Sequence, residues 1–225
     1  MTRRTRAPGW VLAALLVLAL VAGREHSSGD PGPLRTAPPP SGTVAPSRAL
    51  ALLASLPVKG RAPRTGYLRS AFGPAWADVD HNGCRTRDDV LARDLRGVQR
   101  RDRCVVVAGT LLDPYTHQLV AFRKADAASV QIDHVVSLSD AWQKGAQQWT
   151  PAKRRAFAND PLELLAVSRA VNDAKSDADA ASWLPPYKPF RCAFAARQVQ
   201  VKARWGLWVT AAEHDALARV LTRCA

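Results

Sequence analysis

The stretch Val130-Gln131-Ile132-Asp133-His134-Val135-Val136 is the most informative part of this chain of 225 residues. Its alternating apolar pattern is typical of a β-strand with one buried face, and the strand would carry an adjacent acid and imidazole at its end. A second strand-like run at 162–167 precedes a polar helix that contains Asn172 and Lys175. The order of strand, excursion, strand and helix predicts a small site in which the polar side chains meet.

These residue types suit the metal-assisted hydrolysis of a phosphodiester. Water must lose a proton as it attacks, and the neutral imidazole of His134, with an ordinary pKa of about 6.5, can accept it. Negative charge gathers in the transition state, so a hard divalent cation with oxygen ligands is expected beside the base. Asp133 supplies a carboxylate and Asn172 an amide oxygen. Lys175 offers a positive charge to a phosphate.

Four motifs carry a resemblance to a known family: Ile132-Asp133-His134-Val135-Val136-Ser137-Leu138, Phe157-Ala158-Asn159-Asp160-Pro161-Leu162, Asn172 with Lys175, and Ala181-Ser182-Trp183-Leu184-Pro185-Pro186. They resemble the HNH (ββα-metal) endonucleases, and more closely the secreted bacterial branch grouped with the C-terminal domain of the GmrSD restriction enzymes. The resemblance spans about residues 67–224. It implies an α+β fold with a ββα-metal (His-Me finger) core at about 130–186, an additional N-terminal β-hairpin and C-terminal helices.

The resemblance also implies roles for individual residues. Asp133 and Asn172 match the family's ligands for one divalent metal, with Mg²⁺ expected and Mn²⁺ as an alternative. His134 matches the general base. Lys175 is the candidate for a phosphate contact, and Glu163 for orienting the base.

Glu163 departs from the family pattern, which has an asparagine nine residues before the final one. In the family this side chain pins the loop and orients the base. A carboxylate at this position could do so through a hydrogen bond to the imidazole. Such a contact would also raise the pKa of His134 and leave less neutral base at pH 7.

The N-terminal residues have the features of a cleavable signal peptide. Three arginines precede an apolar run at 10–22, which is too short to span a bilayer comfortably, and a small-residue cleavage site follows. The expected organisation is a signal peptide at 1–23, a disordered spacer rich in Pro, Gly and Ser at 24–47, and a nuclease domain at 48–225. We therefore expect a secreted monomer without stable membrane insertion after processing. An uncleaved anchor is the alternative.

The charge balance favours an anionic partner. The chain has 32 Lys and Arg against 19 Asp and Glu, a net charge of +13. Removal of the signal peptide takes away three arginines and no acid, so the mature chain stays basic. Nucleic acid, anionic lipid and wall polymer all fit this charge, which supports a nucleic-acid substrate without selecting it.

Four cysteines lie in the expected mature part: Cys84, Cys104, Cys192 and Cys224. An even number in an exported chain predicts disulfides, with three possible pairings. The spacings contain no Cys-x-x-Cys and no paired histidines, which argues against a zinc site. Sequential pairing, Cys84–Cys104 and Cys192–Cys224, is preferred. The first bridge would tie a loop and helix to a strand, and the second would clamp two C-terminal helices.

A second possible metal site lies upstream. Asp78, Asp80, Asn82 and Asp89 fit the spacing of a calcium loop. Against calcium, no helix clearly precedes the loop, and Asp89 is shorter than the usual bidentate glutamate. The alternative is an Asx-rich turn before a helix that has Thr86 as its N-cap.

The remaining elements follow from periodicity and turn residues. Helices are predicted at 49–56, 86–95, 139–149, 151–157, 168–175, 192–205 and 211–221, and strands at 105–112, 118–123, 132–136 and 162–167. The first two strands should form a hairpin across residues 113–117.

The sequence thus favours an exported metal-dependent endonuclease that cuts DNA, with RNA left open, and with weak sequence preference because no base-reading element is evident. One alternative is a catalytically impaired, secreted protein that binds nucleic acid or another polyanion on the same scaffold, with Glu163 as the sign of decay. Another is a wall-associated hydrolase with a different substrate.

Overall fold

The computed structural model describes residues 1–2 and 42–225. The expected signal peptide beyond residue 2 and most of the expected spacer therefore lie outside the described residues. No helix in the part of the chain that is described combines the length and apolar character needed to cross a bilayer.

The described chain is a mixed α+β structure. Its α-helices are α1 (Pro46–Ser55), α2 (Thr86–Asp94), α3 (Leu138–Gln143), α4 (Pro151–Ala158), α5 (Arg169–Lys175), α6 (Arg191–Trp205) and α7 (Ala211–Thr222). Its strands are β1 (Leu95–Arg100), β2 (Val106–Leu112), β3 (Leu119–Arg123), β4 (Val130–His134) and β5 (Leu164–Ser168). A short 3₁₀ turn, Arg69–Phe72, precedes α2.

Two small antiparallel sheets position the site. The first has the order β1-β2-β3, and the second pairs β4 with β5. In the second sheet Asp133 lies opposite Leu165, and His134 lies opposite Leu164. Because α5 follows β5 directly and contacts both strands, its side chains reach the end of β4.

Apolar packing fixes these elements on both sides. Val90 and Leu91 of α2 pack with Leu111, Ile132 and Ala166, which joins the two sheets through one cluster. A separate cluster joins α1 with α6 and α7.

On the other face of the second sheet, Leu165 and Val167 of β5 pack with Phe194 of α6. The β4–β5 pair is therefore packed between the first sheet and the C-terminal helices, and this burial outweighs the low intrinsic stability of a two-stranded sheet.

A buried ionic cluster connects α3 to the C-terminal helices. Lys144 Nζ lies 2.6 Å from both Asp140 Oδ1 and Glu213 Oε2. Lys202 Nζ lies 3.1 Å from Asp140 Oδ2 and 2.9 Å from Glu213 Oε1. All four side chains are buried. Removing one of them would leave an uncompensated buried charge, so the set acts as one structural unit.

Several predicted boundaries need correction. The helix predicted at 139–149 is broken, because α3 ends at Gln143 and Gly145 adopts a φ of 130°, which glycine tolerates far better than other residues. β1 was not predicted, since its pairing with β2 comes from tertiary context. Helix α1 begins at Pro46, inside the expected spacer, with proline in the favourable first turn.

The N-cap prediction for Thr86 is also wrong. Arg85 is the capping residue of α2, and the Thr86 hydroxyl instead donates to the carbonyl oxygen of Ala77, 2.5 Å away. The predicted hairpin is present, with β2 and β3 paired in antiparallel register.

The structure contains the two disulfides that sequential pairing predicts. Cys84–Cys104 ties the loop before α2 to the segment between β1 and β2, and Cys192–Cys224 ties the first turn of α6 to the end of the chain. Each bridge closes a loop and limits the freedom of the unfolded chain.

Candidate active site

An open cleft of about 440 Å³ lies where β4 ends beside α5. Its walls come from the segment 64–69, from the end of β4 through 139, and from the segment 172–177. Asp133, His134 and Asn172 all line it. The structure therefore brings together three of the side chains that the sequence selected.

The orientation of His134 determines which nitrogen faces a reaction. Its Nε2 lies 3.0 Å from the carbonyl oxygen of Ala158. A carbonyl oxygen only accepts, so Nε2 must carry the hydrogen, and in the neutral ring Nδ1 is left with a free lone pair. The indole of Trp76 stacks on the imidazole at 6.0 Å between ring centroids.

The surroundings of His134 keep the ring neutral. Burial is the largest influence, followed by the positive charge of Arg69, and together with Lys175 they lower the pKa of His134 to about 3. The hydrogen bond to Ala158 acts in the opposite direction and is outweighed. An imidazole with this pKa is unprotonated at neutral pH, so the lone pair on Nδ1 is not occupied by a proton.

Two buried donors hold the carboxylate of Asp133. Lys175 Nζ donates to Oδ1 at 2.8 Å, and the Tyr115 hydroxyl donates to Oδ2 at 2.6 Å. The side chain is only about 4 % exposed. Since each carboxylate oxygen has two lone pairs, these donors fix the group while leaving acceptor capacity.

The amide of Asn172 is oriented by Gln131. Asn172 Nδ2 donates to Gln131 Oε1 at 2.6 Å. With its nitrogen engaged, the amide has Oδ1 left as a ligand atom, and no donor among residues 42–225 contacts that oxygen. The hydrogen bond to Gln131 therefore leaves the oxygen of the Asn172 amide, and not its nitrogen, available as a ligand atom.

Lys175 differs from the sequence-based prediction. Its side chain is fully buried, and its ammonium donates to Asp133 Oδ1 and to the carbonyl oxygen of His134, both at 2.8 Å. In this arrangement it does not face a phosphate. A buried carboxylate needs a counter-charge, and among the described residues Lys175 supplies it.

Glu163 also acts differently from the expectation. Its Oε1 and Oε2 accept from the backbone N–H of Val136 at 3.1 and 3.3 Å, and no hydrogen bond joins it to the imidazole in the described chain. Burial, together with the nearby charge of Asp133 and against the opposing charge of Lys175, raises the pKa of Glu163 well above its usual range. The expected increase in the pKa of His134 is therefore absent.

Sequence reasoning missed Tyr115, Gln131, Trp76 and Arg69. The sequence predicts that Tyr115 lies in a hairpin turn, although an aromatic residue in a polar turn is itself a sign of burial. Gln131 had a detectable signal, because it lies on the same strand as Asp133, two positions away, and so points to the same face. The other two lie more than 50 residues upstream, beyond any local pattern.

The candidate calcium loop forms an Asx-rich turn. Asp78 Oδ2 accepts from the N–H of Gly83, Asp80 Oδ1 from that of Asn82, and Asn82 Oδ1 from that of Cys84. Asp89 has a raised pKa, chiefly through burial and then through Asp80 and Asp78. Within the described residues no group of three or more His, Cys, Asp or Glu side chains is arranged to hold a metal. Calcium binding here stays a prediction.

Comparison with known proteins supports the resemblance to the C-terminal domain of the GmrSD enzymes. Residues 85–220 match the family described as GmrSD restriction endonucleases, C-terminal domain. An uncharacterized secreted protein of Arthroderma benhamiae is 37% identical over 216 residues, which cover 95% of this chain and 97% of the relative. That relative is fungal, so it does not support the bacterial placement. No solved structure matches the chain. The chain belongs to the family of GmrSD restriction endonuclease C-terminal domains.

Proposed function

We propose that this protein is a secreted HNH endonuclease that hydrolyses phosphodiester bonds of DNA with the help of one divalent metal ion. The observation that carries the proposal is the orientation of His134, whose Nε2 is committed to the carbonyl oxygen of Ala158 in a cleft shared with Asp133 and Asn172. A nuclease activity agrees with the family, and export agrees with the secreted relative.

The residues present fit a hard divalent cation. Asp133 brings a carboxylate and Asn172 an amide oxygen with no donor among the described residues, and both oxygen types suit Mg²⁺ and Mn²⁺. Two protein ligands are few, but Mg²⁺ keeps several waters and takes phosphate oxygens as further ligands. The bound ion would neutralise charge on the phosphate and on the departing oxygen.

The chain's own groups then perform the proton transfer. His134 Nδ1 removes a proton from water as its oxygen forms a bond to phosphorus, and the bond from phosphorus to the 3′-oxygen breaks. The ring remains oriented throughout by Ala158 and is covered by Trp76. The product would carry a 5′-phosphate, and the leaving 3′-oxygen takes a proton from solvent.

Glu163 supports an active enzyme over an impaired polyanion-binding relative. It bonds the backbone N–H of Val136 and so holds the chain immediately after β4, which is the loop-pinning role of the family asparagine. The substitution has kept a structural contact and does not touch the base. It is therefore compatible with catalysis.

Loss of plasmid supercoiling tests the proposal. The purified parent protein should relax plasmid DNA with Mg²⁺ and stop when the metal is chelated. His134→Ala should still bind DNA and should cut about 10²–10⁴-fold more slowly. DNA binding without any Mg²⁺-dependent cleavage would instead identify the polyanion-binding alternative, and equal cleavage by His134→Ala would overturn the assignment of the base.

A further inference from the structure

We infer that Arg69 binds the phosphate of the nucleic acid that is to be cut, the contact for which the sequence had suggested Lys175. The inference deepens the proposed function and rests on it. It starts from the charges that line the cleft.

Each carboxylate that lines the cleft has a cationic partner. Asp133 pairs with Lys175 at 2.8 Å, and Asp173 pairs with Arg169 at 3.3 Å. Asp177 has a partner in Arg64 at 3.6 Å.

Arg69 is the cation of the cleft lining that has no ion-pair partner among the described residues. Its side chain is exposed and lines the cleft, and it makes no hydrogen bond or ion pair within residues 42–225. Arg64, the other arginine of the lining, is engaged by Asp177 and packs over the ring of Tyr67 at 5.2 Å. Counted together with Lys175 and Arg169, which pair with its carboxylates from outside the lining, the cleft has four cations against three carboxylates, and a net positive charge is complementary to an anion.

The backbone that carries Arg69 is anchored at the far end of its turn by packing and by a hydrogen bond. Arg69 opens the 3₁₀ turn that ends at Phe72, which is buried against Trp142. Arg154 Nε donates to the carbonyl oxygen of Ala71 at 2.9 Å, which ties the turn to α4. An arginine on an anchored turn loses less freedom when it binds a ligand than one on a mobile loop.

Arg69 and His134 line the same cleft, so a phosphate in that cleft is open to both side chains. The positive charge of Arg69 also contributes, after burial, to the lowered pKa of His134. A planar guanidinium can donate two parallel hydrogen bonds to the non-bridging oxygens of a phosphate. The phosphate beside the attacking water is therefore the one that Arg69 would hold.

Cleavage kinetics provide the first test. In the presence of Mg²⁺, Arg69→Ala should have a kcat/KM on a short DNA duplex about 10²-fold lower than that of the parent protein. Arg69→Lys should recover only part of the loss, because lysine offers a point charge without the paired donors. Arg96→Ala is the matched control, since Arg96 is exposed, lies outside the cleft and forms no ion pair with the described residues; it should stay within about twofold of the parent. Melting temperatures of the variants should equal that of the parent, since both side chains are exposed.

DNA binding provides a test that does not need cleavage. In a His134→Ala background, the dependence of log Kd on log salt concentration should become shallower by about one when Arg69→Ala is added, and should change less with Arg96→Ala. If the parent cuts no DNA but the slope changes as expected, the proposed function fails and the phosphate contact stands. If Arg69→Ala changes neither this slope nor kcat/KM, the inference for Arg69 is wrong. It is also wrong if the parent does not cut DNA and Arg69→Ala leaves the slope unchanged.

Discussion

Lys175 Nζ lies 2.8 Å from Asp133 Oδ1, and the same ammonium donates to the carbonyl oxygen of His134, also at 2.8 Å. One buried cation therefore connects α5 to the end of β4 and joins the two halves of the candidate site. Stability and site geometry depend on the same contact.

Replacing Lys175 should be costly. Lys175→Met should lower the free energy of unfolding by about 3–5 kcal/mol, because Asp133 would be left as an uncompensated buried charge. Urea unfolding in the presence of a metal chelator measures this loss of unfolding free energy. Lys124→Met is the control, since Lys124 is exposed and has no ion pair in the described part of the chain, and it should change stability by less than about 0.5 kcal/mol. A Lys175 variant as stable as the parent but weaker in DNA binding would restore the phosphate role.

Tyr115→Phe should weaken metal binding. It removes the hydroxyl that donates to Asp133 Oδ2 and leaves the ring packing intact. Loss of such an orienting contact typically costs 10–100-fold in metal affinity, so the Mg²⁺ concentration for half-maximal plasmid cleavage should rise by about that factor. Tyr187→Phe is matched to it, because Tyr187 stacks on His117 and its hydroxyl has no hydrogen bond among the described residues. Equal metal dependence in all three proteins would contradict the role of Tyr115.

Acid should destabilise the metal-free protein through His134. Burial lowers the pKa of His134 in the folded state to about 3, from 6.5 in the unfolded chain. As the pH falls, the ring of His134 takes up a proton in the unfolded chain before it does so in the folded protein. The contribution of His134 to stability is therefore present above pH 6.5 and is lost as the pH falls toward 3. Unfolding of the parent in chelator should show this loss, and His134→Gln should show a shallower pH dependence. Parallel curves would mean that the ring titrates normally in the folded protein.

Glu163→Gln should reduce the loss of stability at higher pH. The pKa of Glu163 is raised in the folded state, chiefly by burial, so its contribution is present below the unfolded pKa of 4.5 and is lost as the pH rises. Glutamine keeps an oxygen for the N–H of Val136 and does not titrate. Between pH 4 and 8, the free energy of unfolding of Glu163→Gln should therefore rise relative to that of the parent, since both proteins share the contribution of His134. Identical pH dependence in both proteins would show that Glu163 ionises normally.

The activity of Glu163→Gln should stay near that of the parent, since Glu163 does not contact the imidazole. For the same reason, Glu163→Asn, which restores the family residue, should not raise the rate below pH 7, as it would if Glu163 raised the pKa of His134. A large gain in rate for either variant at acidic pH would show that Glu163 does act on His134.

Local patterns predicted much of the fold. Apolar alternation placed β4 within two residues of its observed bounds, and the order of the cysteines, together with an exported context, predicted both disulfides. The broken helix after Gln143 escaped prediction because its helical pattern continues through Gly145. Such patterns succeed where a single face of an element decides its environment.

The sequence by itself determined which residue types could form the site: an acid and an imidazole at a strand end, and an amide on the following helix. Only the tertiary structure decided what each side chain contacts. Lys175 is the counter-charge of Asp133, Glu163 accepts from Val136, and Arg69 faces the cleft. The physical reason is that a charged side chain takes its role from the partners and the solvent around it, and these come from segments distant in sequence.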